Sequence, residues 1–160
     1  MINKINCNAM LEKGEKIPEL TLLDQDENEV HLHSLIGDHP LVIYFYPKDE
    51  TPGCTAEACS FRDHFEDFRE YGASVYGISA DSPRSHRNFI KRHQLNFSLL
   101  SDENRAAEKA FGVPRNLFGL LPGRVTFIID RDGTIQHTFN SAMNPTKHIK
   151  EALKKLKELA

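Results

Sequence analysis

No stretch of this chain approaches the roughly 18 consecutive apolar residues of a membrane-spanning helix. Met1 to Lys16 carries lysines but no apolar h-region, so it does not read as a secretory signal. Neither sign of charge is in excess: the formal net charge is −3, which gives no reason to expect nucleic acid or a membrane surface as partner. Cysteine is scarce, three residues in 160, too few for a disulfide scaffold. In a reducing compartment such cysteines are catalytic, metal-binding or incidental, and a cytoplasmic location is the default expectation. Internal repeats, low-complexity tracts and a domain linker are also missing. The eight histidines show no paired metal spacing. Cys54, Cys59 and His64 lack a fourth ligand, and five-residue steps do not share a helix face, so no metal is expected. What remains is 39% apolar and 27% charged residues spread along the chain, the composition of a soluble globular protein with a real core.

The patterning alternates between strands and helices. Residues 19–23 and 29–32 flank the polar run Asp24-Gln25-Asp26-Glu27-Asn28 and predict a hairpin. Leu41 to Tyr46 is β-branched and aromatic throughout, the mark of a buried strand. A helix is expected from about Cys54 to Glu70, burying Ala58, Phe61, Phe65 and Phe68 and ending at Gly72. Strands follow at 74–80 and 97–100, with a helix between them opened by Asp81-Ser82-Pro83 and running to about His93. A short helix at 103–111 ends at Gly112. A second hairpin, 125–129 with 134–139, turns at Arg131-Asp132-Gly133. An amphipathic helix at 145–159 directs Ile149, Leu153, Leu156 and Leu159 inward. The order implies one three-layer α/β domain with a mixed sheet over residues 11–160, and residues 1–10 as an N-terminal extension that includes Cys7.

Chemistry concentrates after the strand at 41–46. Residues 47–53 read Pro-Lys-Asp-Glu-Thr-Pro-Gly and break it, since proline donates no backbone hydrogen bond and glycine relaxes the chain. Helical patterning resumes near Cys54, which puts a thiol in the first turn of a helix. Unpaired N–H groups and the positive end of the helix dipole favour a thiolate there. Cys59 follows five residues later. A thiol-disulfide oxidoreductase of the thioredoxin type needs Cys-x-x-Cys, and the spacing here is Cys-x-x-x-x-Cys. Glu57, between the two cysteines, reads as a solvated helix carboxylate.

Pro47-x-x-x-Thr51-x-x-Cys54 resembles the active-site signature of the peroxiredoxins. Tyr44-Phe45-Tyr46-Pro47-Lys48 and Thr51-Pro52-Gly53-Cys54-Thr55, with Cys59, resemble the branch called bacterioferritin comigratory protein or peroxiredoxin Q. Gly77-Ile78-Ser79-Ala80-Asp81, Leu99-Leu100-Ser101-Asp102 and Arg124-Val125-Thr126-Phe127-Ile128-Ile129-Asp130 match that branch in order and spacing, so the similarity spans roughly residues 11 to 160. The resemblance implies a thioredoxin-like fold, a central mixed β-sheet flanked by helices with an N-terminal β-hairpin. It also implies reduction of hydrogen peroxide and organic hydroperoxides through a cysteine sulfenic acid. By the same resemblance Cys54 is the attacking cysteine, Thr51 contacts peroxide and thiolate, Pro47 shields the sulfur, and Arg124 holds thiolate and peroxide. Cys59 is then the resolving cysteine, giving an intramolecular disulfide reduced by thioredoxin or a similar dithiol. No metal, flavin or nicotinamide cofactor is required, and a monomer is expected. A redox sensor passing oxidation to a bound protein is the alternative, and catalytic turnover separates the two. The apolar segment 115–123 ahead of Arg124 reads as lining for the pocket mouth, as a partner contact, or as a loop packed on its own core.

Overall fold

The computed structural model describes residues 9–116, 119 and 121–160. Cys7 lies outside them, as do residues 117, 118 and 120 of the apolar segment. The strand that the aromatic run predicts is β3, Leu41–Phe45, with every residue buried. Among the described residues β3 sits inside a seven-stranded sheet. Its neighbours are β4 (Ser74–Ser79), parallel to it, and β8 (Val125–Ile129), antiparallel. Strand β5 (Ser98–Ser101) extends the parallel part beside β4, and β9 (Ile135–Asn140) closes the other edge against β8. The expected hairpin, β1 (Thr21–Asp24) with β2 (Glu29–His31), pairs antiparallel with β5 at the far edge.

Side chains alternate across β3 because strand residues have a period of two. Leu41, Ile43 and Phe45 join Ile78, Leu100, Phe111 and Phe127 on one face. Val42, Tyr44 and Tyr46 face Cys54, Ala58, Phe61, Phe89 and Leu156 on the other. Helix α1 (Pro52–Asp63), α3 (Pro83–His93) and α5 (Lys147–Leu159) cover that second face, and α4 (Ala106–Phe111) lies on the first. Layers of helix on both sides of a mixed sheet are what the alternating pattern implies.

Several boundaries differ from the sequence pattern. The helix expected to run from 54 to 70 is two, α1 and α2 (Phe65–Glu70), joined at His64. There the His64 ring Nδ1 competes with the backbone for the Ser60 carbonyl, 2.8 Å away, and the chain leaves helical geometry at φ −100°, ψ 15°. The break turns Phe65 outward; it is exposed rather than buried. Leu159, on the last turn of α5, is likewise exposed, while Ile149 and Leu156 are buried. Helix α4 starts later than its pattern suggests, because the Asp102 carboxylate accepts the N–H groups of Ala107 and Glu108 at 2.9 and 2.8 Å. Short strands β6 (Arg115–Asn116) and β7 (Leu121–Pro122) pair as a separate ladder ahead of Arg124. No helix among the described residues is long and apolar enough to cross a membrane.

Candidate active site

The loop leaving β3 places Thr51 as N-cap of α1 in an extended conformation and Pro52 at the first helical position. A proline there costs nothing, because that N–H has no intrahelical partner in any case. Cys54 is therefore the third residue of the helix, among N–H groups that have no carbonyl to bond. Its side chain points into the core and is 1% exposed. Arg124, immediately before β8, reaches across from the far side of β3 and is itself 6% exposed. Its Nη2 lies 3.5 Å from Cys54 Sγ, and its Nη1 donates to Glu57 Oε1 at 2.8 Å. Gly53 makes this approach possible. A Cβ at that position would sit 3.0 Å from Nη2, so a side chain there crowds the guanidinium and requires it to give by a few tenths of an ångström.

Glu57 is fully buried, which corrects the expectation of a solvated carboxylate. It stands three residues after Cys54, one helical turn on and facing the same way. Burial pushes its carboxyl up to about 8, against the pull of the Arg124 guanidinium. Its second oxygen, Oε2, finds no hydrogen-bond partner among the described residues, and His148 Nδ1 is 3.7 Å away. His148 is not free to close that gap. Its Nε2 donates to the Ser141 carbonyl at 2.8 Å, and its Nδ1 accepts from the Thr126 hydroxyl at 2.8 Å. Burial, reinforced by Arg124, lowers its ring to about 4 although the Ser141 bond works the other way, so it is neutral. For Arg124 burial opposes the charged form, but Glu57 and Cys54 more than offset it and the guanidinium is held above its ordinary value. One cation thus sits between a sulfur and a carboxyl in a dry site, where each interaction is stronger than in water.

The remaining residues singled out in the sequence lie close along the chain. The Thr51 hydroxyl donates to the Lys48 carbonyl at 2.8 Å, which folds the loop on itself. Pro47 is half-buried at the end of β3. Cys59 is half-buried on α1, five residues from Cys54, so the helix carries the two thiols on different sides. Tyr44 also approaches the site from β3. Its buried hydroxyl has no partner among the described residues, and burial, then Glu57 and Cys54, keep it protonated.

Residues 13–138 match the family model described as AhpC/TSA family. The chain belongs to that family. Its relatives include peroxiredoxin Q, chloroplastic, from Oryza sativa subsp. japonica, 49% identical over 98% of this chain and 71% of the relative. The protein of the same name from Sedum lineare is 48% identical over 99% of this chain and 84% of its own length. Among solved structures, peroxidoxin BcpB from Mycobacterium tuberculosis superposes with a TM-score of 0.87 at 36% identity, covering 94% of this chain and 99% of that one. A cysteine-to-serine variant of Xanthomonas campestris peroxiredoxin Q gives 0.81 at 34% identity, covering 96% and 99%. The protein is thus a peroxiredoxin with a thioredoxin-like fold, an enzyme of the thiol peroxidase class. The cytoplasmic location expected from composition is overturned by the plant relatives, which are named chloroplastic.

In this peroxiredoxin the sequence pattern misread Glu57 as solvated and passed over His148 and Thr126. For Glu57 a signal was present, the one-turn spacing from Cys54. For His148 and Thr126 there was none, since their meeting depends on α5 docking against β8.

Proposed function

We propose that this enzyme reduces hydrogen peroxide and organic hydroperoxides at Cys54. The observation that carries the proposal is the Arg124 Nη2 to Cys54 Sγ contact of 3.5 Å at the first turn of α1. A thiolate is the attacking form of cysteine, and a guanidinium on one side with unpaired helix N–H groups on the other supply fixed positive charge to it. The Cys54 sulfur attacks the outer peroxide oxygen, the O–O bond breaks, and the sulfur leaves as sulfenic acid while water or alcohol departs after taking a proton. Charge moves from sulfur to the departing oxygen in that step. Arg124, already beside the sulfur and with its Nε free of partners among the described residues, supports both ends of the transfer. Thr51 and Pro47, in the loop that leads into α1, form the near wall for the peroxide.

Cys59 then attacks the Cys54 sulfenic acid, the S–O bond breaks, water leaves, and a Cys54–Cys59 disulfide forms. Thioredoxin or a similar dithiol returns both cysteines to thiols by exchange through a mixed disulfide. The O–O bond of the substrate supplies the oxidising equivalents and the external dithiol the reducing ones, so no resident cofactor enters the cycle. Both cysteines lie on one helix, so resolution needs no second chain, in keeping with a monomer as the acting form.

Peroxide consumption in the presence of thioredoxin and its reductase, with hydrogen peroxide, cumene hydroperoxide and a lipid hydroperoxide compared side by side, tests the reading. Turnover with each, lost in Cys54→Ser, is expected. Peroxide consumption that persists without Cys54, or absence of turnover with every dithiol reductant tried, contradicts it.

A further inference from the structure

A second cluster of buried polar groups, unused by the peroxide chemistry, lies on the other side of the Pro47–Thr51 loop. His86, on α3, is fully buried. Its Nδ1 is 2.8 Å from Asp49 Oδ2, and its Nε2 is 3.1 Å from the Leu100 carbonyl oxygen. A carbonyl only accepts, so Nε2 carries a proton. Asp49 also accepts from the Tyr46 hydroxyl at 2.6 Å and the Ser85 hydroxyl at 2.8 Å. The ring is locked between the Asp49 carboxyl group and the Leu100 carbonyl.

Each element packed against the ring contributes to this. The loop supplies Asp49, β3 leads into Tyr46, β5 offers the Leu100 carbonyl and α3 adds Ser85. Beyond the end of β4, Asp81 accepts from the Asp49 N–H at 2.9 Å and from the Ser79 hydroxyl at 2.6 Å. Ligand-type atoms of Asp49, Asp81 and His86 fall within 4.8 Å of one another, as in a cation site. Here the carboxylate oxygens nearest the ring are committed to hydrogen bonds within the cluster.

We propose that His86 is a positioning residue for peroxide reduction: its buried ring, hydrogen-bonded to Asp49, fixes on α3 the loop that carries Pro47 and Thr51. The proposal rests on the reading of Cys54 as the attacking thiol. The loop needs such an anchor, because Glu50 adopts φ 64°, a left-handed conformation that a non-glycine residue holds only when its surroundings impose it. Glu50 has a second tie to α3, to His93 Nε2 at 3.2 Å and Arg92 Nη1 at 3.6 Å. Ion pairs at the surface hold little, whereas a buried hydrogen bond that loses one partner leaves the other polar group unsatisfied. The Asp49–His86 pair therefore sets where the loop rests. Thr51 follows Asp49 by two residues and starts α1, so a shift at the anchor reaches the wall against which the peroxide must align.

His86→Gln and Asp49→Asn, both reduced, are mixed with hydrogen peroxide in single turnover, followed by quenching and mass spectrometry. Their peroxide rate constants are expected to fall by about tenfold or more, as for a misplaced near-attack geometry, while alkylation of Cys54 by iodoacetamide stays within about twofold of wild type. Peroxide rates within about twofold of wild type in either folded variant, or an equal fall in both reactions, assign the pair to the fold alone and overturn the proposal. A Cys54→Ser control that still consumes peroxide instead removes the reading of Cys54 on which the proposal stands.

Discussion

Closing a disulfide between Cys54 and Cys59 is expected to unwind the beginning of α1. At about 1.5 Å rise and about 100° per residue, positions five apart on a helix have Cα atoms roughly 8–9 Å apart and side chains about 140° apart. A disulfide requires Cα atoms within about 7 Å. Both cysteines lie within Pro52–Asp63, so the intact helix forbids the bond. Melting starts at the first turn, where Thr55 N–H bonds the Thr51 carbonyl at 2.8 Å, and it draws Cys54, Ala58 and Phe61 out of the core. Burying a phenylalanine contributes about 1.5–3 kcal/mol, and about 1.4 kcal/mol is a factor of ten, so loss of Phe61 alone removes roughly tenfold to hundredfold protection. The far end of α1 is tied down by Arg62, whose Nη1 donates to the His93 carbonyl at 2.6 Å. The change should therefore be confined to about residues 54–61 and should spare α3. Amide hydrogen exchange on the reduced protein and on protein with the Cys54–Cys59 bond mapped by mass spectrometry measures this. Equal protection across that segment in both states, with the bond confirmed, would refute the geometric argument.

The same site yields further expectations. Arg124→Ala removes the group 3.5 Å from Cys54 Sγ and should slow peroxide reduction by about two orders of magnitude or more with the fold retained; near wild-type rates would take Arg124 out of the site. Glu57→Gln keeps an acceptor for Arg124 but no titratable group. Because burial raises Glu57 to about 8, the native state holds a proton that the unfolded chain gives up in the ordinary carboxylate range, so wild-type stability falls as pH rises through that window and the fall ends near 8. Chemical denaturation of both proteins across the window checks the sign: the variant should lose less stability than wild type, and parallel curves would contradict a raised Glu57.

What was legible in the sequence was whatever one segment decides by itself. Leu41 to Phe45 is buried on both faces and reads as an apolar run, and Pro47, Pro52 and Gly53 mark the loop and helix start that deliver Cys54. The hairpins and the N-cap at Ser82, whose hydroxyl accepts from Ser85 N–H, are equally local. Features that depend on a distant partner were not readable from the residues alone. Glu57 looks solvated until Arg124, from the start of another strand, is brought against it. The break at His64 rests on a ring-to-carbonyl bond that no periodicity announces, and it alone decides that Phe65 points outward. Thr51 shows a third case: the residue type suits a peroxide wall, yet the proton of its hydroxyl is committed to Lys48 within the loop.

The central claim, Cys54 as attacking thiol and Cys59 as its resolving partner, is tested most directly by treating reduced protein with equimolar hydrogen peroxide and mapping the products by mass spectrometry. Wild type should convert quantitatively to the Cys54–Cys59 disulfide, while Cys59→Ser should stop at a Cys54 sulfenic acid that dimedone traps and that excess peroxide carries on to sulfinic acid. Cys54→Ser should leave Cys59 a free thiol on the same timescale. Rapid oxidation of Cys59 in the absence of Cys54, or a disulfide that excludes either residue, would contradict the account.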